Sequence, residues 1–356
     1  MVLVVALALA AGCTSTSSSR YRRPQMTPEE LRSYYDYPQK PIQPEVRDKE
    51  RNARWQHQFV EFEMQLPPDL DGEAVKRYRE QAAAARKKRA LSISFEYTVR
   101  FDYYRPTGPG PHPLVVISPV LGGRTIIEDS LCRHFASHGF CALLVHRKRP
   151  SIRPEEGLAK VEVDLRKSVL RVRQALDWAL QQPEVAPERI ASFGVSYGAI
   201  INTIVAGAEP RIRCHVFALG GGDLPNIIMS SAEPLIRSQA ARIAQAQGWS
   251  REQLREELER TVKSDPLNSA PLLDPDNVLM VVAQFDAVVG TQYEHLLWRR
   301  LGKPRRIVVP LGHTTTALAL PFIKAEALAF LQGKFGIQPK DSVWPTDLQF
   351  HSSKRY

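Results

Sequence analysis

Gly194-Val195-Ser196-Tyr197-Gly198 sets a serine between two glycines. Serine is a poor nucleophile at neutral pH; it needs a base, and the base needs an orienting acid. The string carries chemistry where a strand runs into it and a helix leaves it, because that turn lifts the hydroxyl above a sheet. Both are predicted: an apolar strand over Arg189–Val195 and a small-residue helix over 198–207. Asp286 follows the apolar run Val278–Phe285, and His313 follows Ile307–Gly312. Each therefore emerges at the C-terminal end of a strand. Topology brings Ser196, Asp286 and His313 to one edge of a sheet, as nucleophile, acid and base. Asp223, after Gly220-Gly221-Gly222 and the strand Cys214–Leu219, is an alternative acid. The other histidines read as surface or packing residues. His134 and His138 lie in or near a helix, His57, His112 and His351 in polar segments, and His215 within a strand.

Attack on a carbonyl builds negative charge on its oxygen, which two preorganised donors must meet. The backbone N–H of Tyr197, next after the serine, supplies one. The loop Ser118-Pro119-Val120-Leu121-Gly122-Gly123, after the strand Leu114–Ile117, supplies the other. Leu121 N–H is the first choice there and Gly122 the alternative.

These residues need a frame. Thr27-Pro28-Glu29-Glu30 is a capping box with proline at the first helical position, so a short helix starts there. Phe59 to Met64 reads as a strand with Glu61 and Glu63 turned outward, 73–90 as a helix, and Ile93–Tyr104 as a strand. Short apolar strands then alternate with helices: strands at 114–117, 140–145, 189–195, 214–219, 278–285 and 307–309; helices at about 124–138, 160–182, 198–207, 290–301 and 316–331. Fully apolar strands alternating with helices indicate a mostly parallel central sheet covered on both faces. Residues 223–276 interrupt the rhythm with Ile227, Ile228, Met229, Leu235, Ile236 and Ile243, and then a second capping box at Ser250–Gln253. Leu254, Leu258 and Val262 fall on one helical face. A helical insertion at this end of the sheet reads as a lid.

On the elbow at 194–198, the Pro-Val-Leu-Gly-Gly loop, the Asp after one late strand and the Gly-His after the last, residues 92–335 resemble the α/β-hydrolase superfamily. The bacterial serine esterase and dienelactone-hydrolase-like branches look most similar. Pro119-Val120 stands where many members carry His-Gly. The resemblance implies an α/β-hydrolase fold, an enzyme that cleaves carboxylic esters through an acyl-serine intermediate, and a small-molecule ester substrate. It calls for no cofactor, and no metal or phosphate-loop motif stands out. A catalytically inactive scaffold with a binding or structural role, and an acyltransferase, are the competing readings.

Met1–Ala11 is an apolar run with the length of a signal-peptide core. Leu9-Ala10-Ala11-Gly12-Cys13 resembles the lipobox of bacterial lipoproteins, which implies lipidation of Cys13, a membrane anchor and a bacterial-envelope location. The domain plan is then a signal and lipobox over 1–13, a tether and polar extension over 14–55, a hydrolase domain over 56–336 with its lid at 223–276, and a tail over 337–356. Cys132, Cys141 and Cys214 read as buried and unpaired, with a Cys132–Cys141 disulfide as the alternative.

The 356 residues carry a net charge of +10. The excess is spread, with 16 basic against 12 acidic residues from Thr14 to Leu91 and 32 against 26 from Ser92 to Tyr356. A nucleic-acid partner is therefore not expected. Arg86-Lys87-Lys88-Arg89 ends a helical stretch, where cations suit the dipole. His146-Arg147-Lys148-Arg149 follows a strand. It reads either as a solvated loop or as a site for an anionic substrate or lipid headgroup.

Overall fold

The computed structural model describes residues 26–73, 75–77, 80, 95–123, 126–147, 152 and 156–338. Cys13 with its apolar run, Arg86–Arg89, Lys148, Arg149, His351 and nearly all of the 337–356 tail lie outside the described residues. Among the described residues no helix is long and apolar enough to cross a membrane.

Nine strands form one sheet: β1 (Glu45–Arg51), β2 (Trp55–Glu63), β3 (Thr98–Pro106), β4 (His112–Ser118), β5 (Cys141–Val145), β6 (Val185–Val195), β7 (Cys214–Ala218), β8 (Val278–Ala283) and β9 (Arg305–Val309). Their order is β1-β2-β3-β5-β4-β6-β7-β8-β9. From β5 to β9 every pairing is parallel. The β1, β2 and β3 flank is antiparallel and joins β5 antiparallel. The fold is α/β, with a mostly parallel sheet as expected.

The apolar strands alternate between two cores because successive side chains leave opposite faces. Leu114 and Val116 enter one core with α3 (Ala159–Ala179) and α4 (Tyr197–Ala208). Val115 and Ile117 enter the other with α2 (Ile126–Ser137) and α9 (Leu320–Phe335). Cys132, Cys141 and Cys214 are buried in these cores, and none of them forms a disulfide among the described residues.

Two elements depart from expectation. Glu61 does not turn to solvent: it is buried, 2.7 Å from Arg100 and 3.6 Å from Arg47. β2 lies inside the sheet, with β1 outside it, so arginines of both flanking strands lie over Glu61, while Glu63 at the strand's end is exposed as expected. β1 itself, seven exposed and largely charged residues, carries no apolar alternation to announce it.

The Thr27 capping box forms and opens α1 (Pro28–Tyr34). Tyr35 Oη at its end donates to Ser264 Oγ at 2.7 Å, and Tyr34 Oη donates to Glu162 at 2.8 Å. Residues 223–276 contain α5 (Leu224–Ser230), α6 (Pro234–Gln247) and α7 (Arg251–Thr261). The Ser250 capping box also forms, and Leu254, Leu258 and Val262 are buried together as their spacing predicts.

Candidate active site

Ser196 ends β6 with φ 57° and ψ −121°, a strained conformation that lifts its side chain off the strand direction. The two glycines make this turn possible. A Cβ on Gly194 would lie 2.4 Å from the Gly198 carbonyl carbon, and one on Gly198 would lie 2.1 Å from Ser118 O. β6, α4 and the end of β4 can meet only where both side chains are absent.

The structure brings the three predicted residues together. Ser196 Oγ is 2.8 Å from His313 Nε2, and His313 Nδ1 is 2.6 Å from Asp286 Oδ2. An ionised carboxylate only accepts, so Nδ1 carries the proton and Nε2 is left to accept from the serine hydroxyl. Asp286 Oδ1 accepts from Val288 N and Val289 N, each at 2.8 Å. Burial alone would raise its pKa. The His313 contact and the backbone N–H groups outweigh that and hold it below the usual carboxylate range. Asp223 takes no part: its backbone is left-handed and its side chain accepts from Asn226 at 2.7 Å. His215 is a core residue, 2.9 Å from Ser192 Oγ, with burial pushing its pKa down to about 3.

The loop after β4 is pinned around its free donors. Val120 N donates to the fully buried Glu128 at 2.9 Å, and Gly123 N donates to Val120 O at 2.9 Å. Pro119 has no N–H. Among the described residues no hydrogen bond engages the N–H groups of Leu121, Gly122 or Tyr197, the last a donor of the first turn of α4.

Ser196, His313, Tyr197 and Leu121 border one cavity of about 410 Å³. Its walls are aliphatic: Ile227, Leu235 and Ile236 from the inserted helices, Val288 and Val289 beside Asp286, and Leu320 and Ile323 from the last helix. Among the described residues of the lining, Glu233 is the carboxylate. Among the described residues no group of three or more His, Cys, Asp or Glu side chains could hold a metal ion.

Three arrangements lay beyond sequence reading, because each depends on partners in different elements that no spacing rule connects. Glu128 holds the loop. Glu294, in the first turn of α8 (Thr291–Arg300), is fully buried beside Asp286, and burial and then that charge push its pKa up to about 10. Asp102 receives His57 and His146, each Nε2 at 2.7 Å. His57 is thus buried in a polar cluster. Neither reading of the basic run fits its described half: His146 binds Asp102, and Arg147 donates to Leu121 O.

A serine on a strand-to-helix elbow, hydrogen-bonded through histidine to aspartate at the C-terminal edge of a mixed sheet, defines the α/β-hydrolase fold. Within that class, the model of the X-Pro dipeptidyl-peptidase (S15) family matches residues 97–289, more than half of the chain. The chain belongs to that family. The match includes Ser196 and Asp286 and ends before His313. Among solved structures, the acetyl xylan esterase from Paenibacillus sp. R4 is similar at TM-score 0.60 and 16% identity, over 86% of this chain and 92% of that one. Acetyl Xylan Esterase 1 from Thermoanaerobacterium sp. JW/SL YS485 is similar at TM-score 0.59 and 16% identity, over 85% and 95%. These likenesses show a shared fold. Among curated proteins, the uncharacterized protein YdjC of Bacillus subtilis (strain 168) is 30% identical over 71 residues, 20% of this chain. The aligned stretch spans 61% of that relative's length, less than two thirds.

Proposed function

We propose that this chain is a serine hydrolase that cleaves carboxylic esters of apolar acids or alcohols. The unbroken Ser196–His313–Asp286 hydrogen-bond chain opening into an aliphatic cavity carries this reading. Ser196 Oγ attacks the ester carbonyl while its proton passes to His313 Nε2. Asp286 stabilises the imidazolium, and the N–H groups of Tyr197 and Leu121 take the oxyanion. Collapse of the tetrahedral intermediate breaks the ester C–O bond, and His313 protonates the leaving alcohol. Water, deprotonated by His313, then releases the acid and restores Ser196. Aliphatic walls favour chains that can be desolvated, at roughly 0.8 kcal/mol per buried CH₂.

The test is labelling with a fluorophosphonate probe beside Ser196→Ala, followed by p-nitrophenyl esters of increasing chain length. Labelling of wild type alone, with kcat/KM rising beyond acetate, is the expected result. An unlabelled, folded wild type would sink the reading and favour the inactive scaffold. Product analysis with an added alcohol separates transfer from hydrolysis.

A second reading follows from the family and from Glu233. The Glu233 carboxylate at this cavity is of the charge to meet the free ammonium of a peptide, as dipeptide release from an N-terminus requires. Ala-Pro-p-nitroanilide decides: faster turnover than of any p-nitrophenyl ester, lost in Glu233→Gln, would favour peptide hydrolysis.

The lipobox-like Leu9–Cys13 motivates the proposal of a lipid anchor at Cys13 in a bacterial envelope. An alkyne fatty acid is expected to label wild type and not Cys13→Ala; equal labelling would reject it.

A further inference from the structure

Arg147 touches both sides of the edge where the oxyanion would sit. Its Nη1 donates to Leu121 O at 2.5 Å, and its guanidinium lies over the Tyr197 ring, 4.0 Å from the centroid. The Arg147 backbone is equally close: its carbonyl oxygen lies 3.3 Å from where a Cβ on Gly123 would be, and Gly123 has φ +91°. Leu121 and Tyr197 are 76 residues apart in the chain and belong to different elements. One planar cation spans them, by hydrogen bond on one side and ring face on the other.

The base of this bridge is fixed. His146 N donates to Arg100 O at 2.7 Å, and His146 Nε2 donates to the buried Asp102, whose other oxygen accepts from His57. Nor does Arg147 face the substrate cavity. It lines a separate void of about 10 Å³, with Ser168, Arg171 and the back of Tyr197 among its neighbours. That volume admits no ligand beyond about one water.

We propose that Arg147 is a positioning residue for the oxyanion hole: it clamps the 121–122 peptide by the Leu121 carbonyl and Tyr197 by its ring, so that the N–H groups of the loop and of Tyr197 converge on one point. The proposal rests on the serine-hydrolase reading. Val120 is already held through its N–H by Glu128 and through its carbonyl by Gly123. Arg147 takes the next carbonyl, and the loop's two open donors are then fixed in direction. The tight link is needed because a donor misplaced by a fraction of an ångström meets the ground-state carbonyl instead of the developing oxyanion. Removing the clamp should therefore weaken transition-state binding and leave substrate binding nearly unchanged.

The test compares Arg147→Met, Arg147→Lys and Arg147→Ala with wild type and Ser196→Ala, using p-nitrophenyl butyrate, phenylboronic acid and a fluorophosphonate probe. In Arg147→Met, kcat should fall about 10–100-fold with KM within about threefold. Inhibition by phenylboronic acid, whose serine adduct is tetrahedral, should weaken in parallel. Arg147→Lys should lie between, since an ammonium keeps the charge but not the flat fork. Added guanidinium should recover part of the rate lost in Arg147→Ala. This variant also serves if Arg147→Met folds poorly, because rescue reads the site and not the fold. Unchanged kcat in a variant whose wild-type parent is labelled at Ser196 would overturn the clamp and leave the hydrolase reading intact. A rise in KM confined to anionic esters would do the same, in favour of anion recognition. An unlabelled wild type would overturn both.

Discussion

Among the described residues two buried aspartates, Asp286 and Asp102, each grip histidine, and they do opposite things with it. At the parallel end, Asp286 holds His313 Nδ1 at 2.6 Å, and the far ring nitrogen reaches Ser196 at a cavity. At the antiparallel flank, Asp102 holds His57 and His146 by Nε2, each at 2.7 Å. His57 is stacked on Tyr104, ring centroids 4.2 Å apart. The pair itself is therefore not what makes a site. What differs is which nitrogen the aspartate takes, and whether the other points at a nucleophile in a space that a substrate can enter. Asp102 spends its second oxygen on a second imidazole. Asp286 gives its own to the backbone N–H groups of Val288, Val289 and Gly290, which fix its orientation and, after His313, help to keep it ionised.

Removing the nucleophile breaks the comparison most completely. Ser196→Ala should lower kcat by about 10⁶-fold with little change in melting temperature, measured by ester hydrolysis and calorimetry. Asp286→Asn should cost about 10⁴-fold in kcat, because an amide can hold the wrong tautomer of His313. Asp102→Asn should invert the pattern. Breaking a buried, doubly bonded carboxylate should cost about 3 kcal/mol in chemical denaturation. Its effect on kcat should stay within about tenfold, transmitted through His146 and Arg147. Equal losses of activity in the two asparagine variants would erase the distinction.

Glu294 gives the smallest effect and a test of sign. Its pKa is raised from 4.5 to about 10, so the native state keeps a proton that the unfolded chain gives up. Native stability is therefore penalised progressively as pH rises from about 4.5 towards 10. Asp286 runs the other way: its lowered pKa stabilises the native state above the unfolded value and is lost as pH falls through the folded one. Glu294→Gln removes the penalty. It should stabilise the protein by about 1 kcal/mol or more at pH 8 and by little at pH 5, in melts at both pH values. A variant less stable than wild type at pH 8 would mean that the carboxyl's proton is worth more to Asp286 than its burial costs.

The chemistry was more legible than its supports. Ser196, Asp286 and His313 each stand at the end of an apolar run, and a parallel sheet collects strand ends on one edge, so local patterns fixed their meeting. Capping boxes at Thr27 and Ser250 were equally local, and both formed. β1 was not legible, since seven largely charged residues announce no buried face. Glu61 was misjudged for the same reason: alternation tells which face a residue takes, and only the tertiary fold tells whether that face is wet. Arg147 was read only as part of a basic run, solvated or anion-binding, and Glu128 and Glu294 drew no reading at all. Their partners lie 26, 8 and 11 residues away, in other elements, and no spacing rule connects them.

β1 has one more consequence. A sheet offers hydrogen bonds to any extended chain that reaches its rim, and β2, with Trp55, Val60 and Phe62 buried, would be an adhesive rim. The charged ribbon Glu45–Arg51 occupies that position and shows solvent alternating acids and bases that repel a second layer. The ribbon is in this respect a colloidal safeguard: a chain in which Glu45–Arg51 is rewritten as alternating valine and threonine, with α1 left in place, should retain its catalytic edge and lose its solubility, stacking through that rim into aggregates.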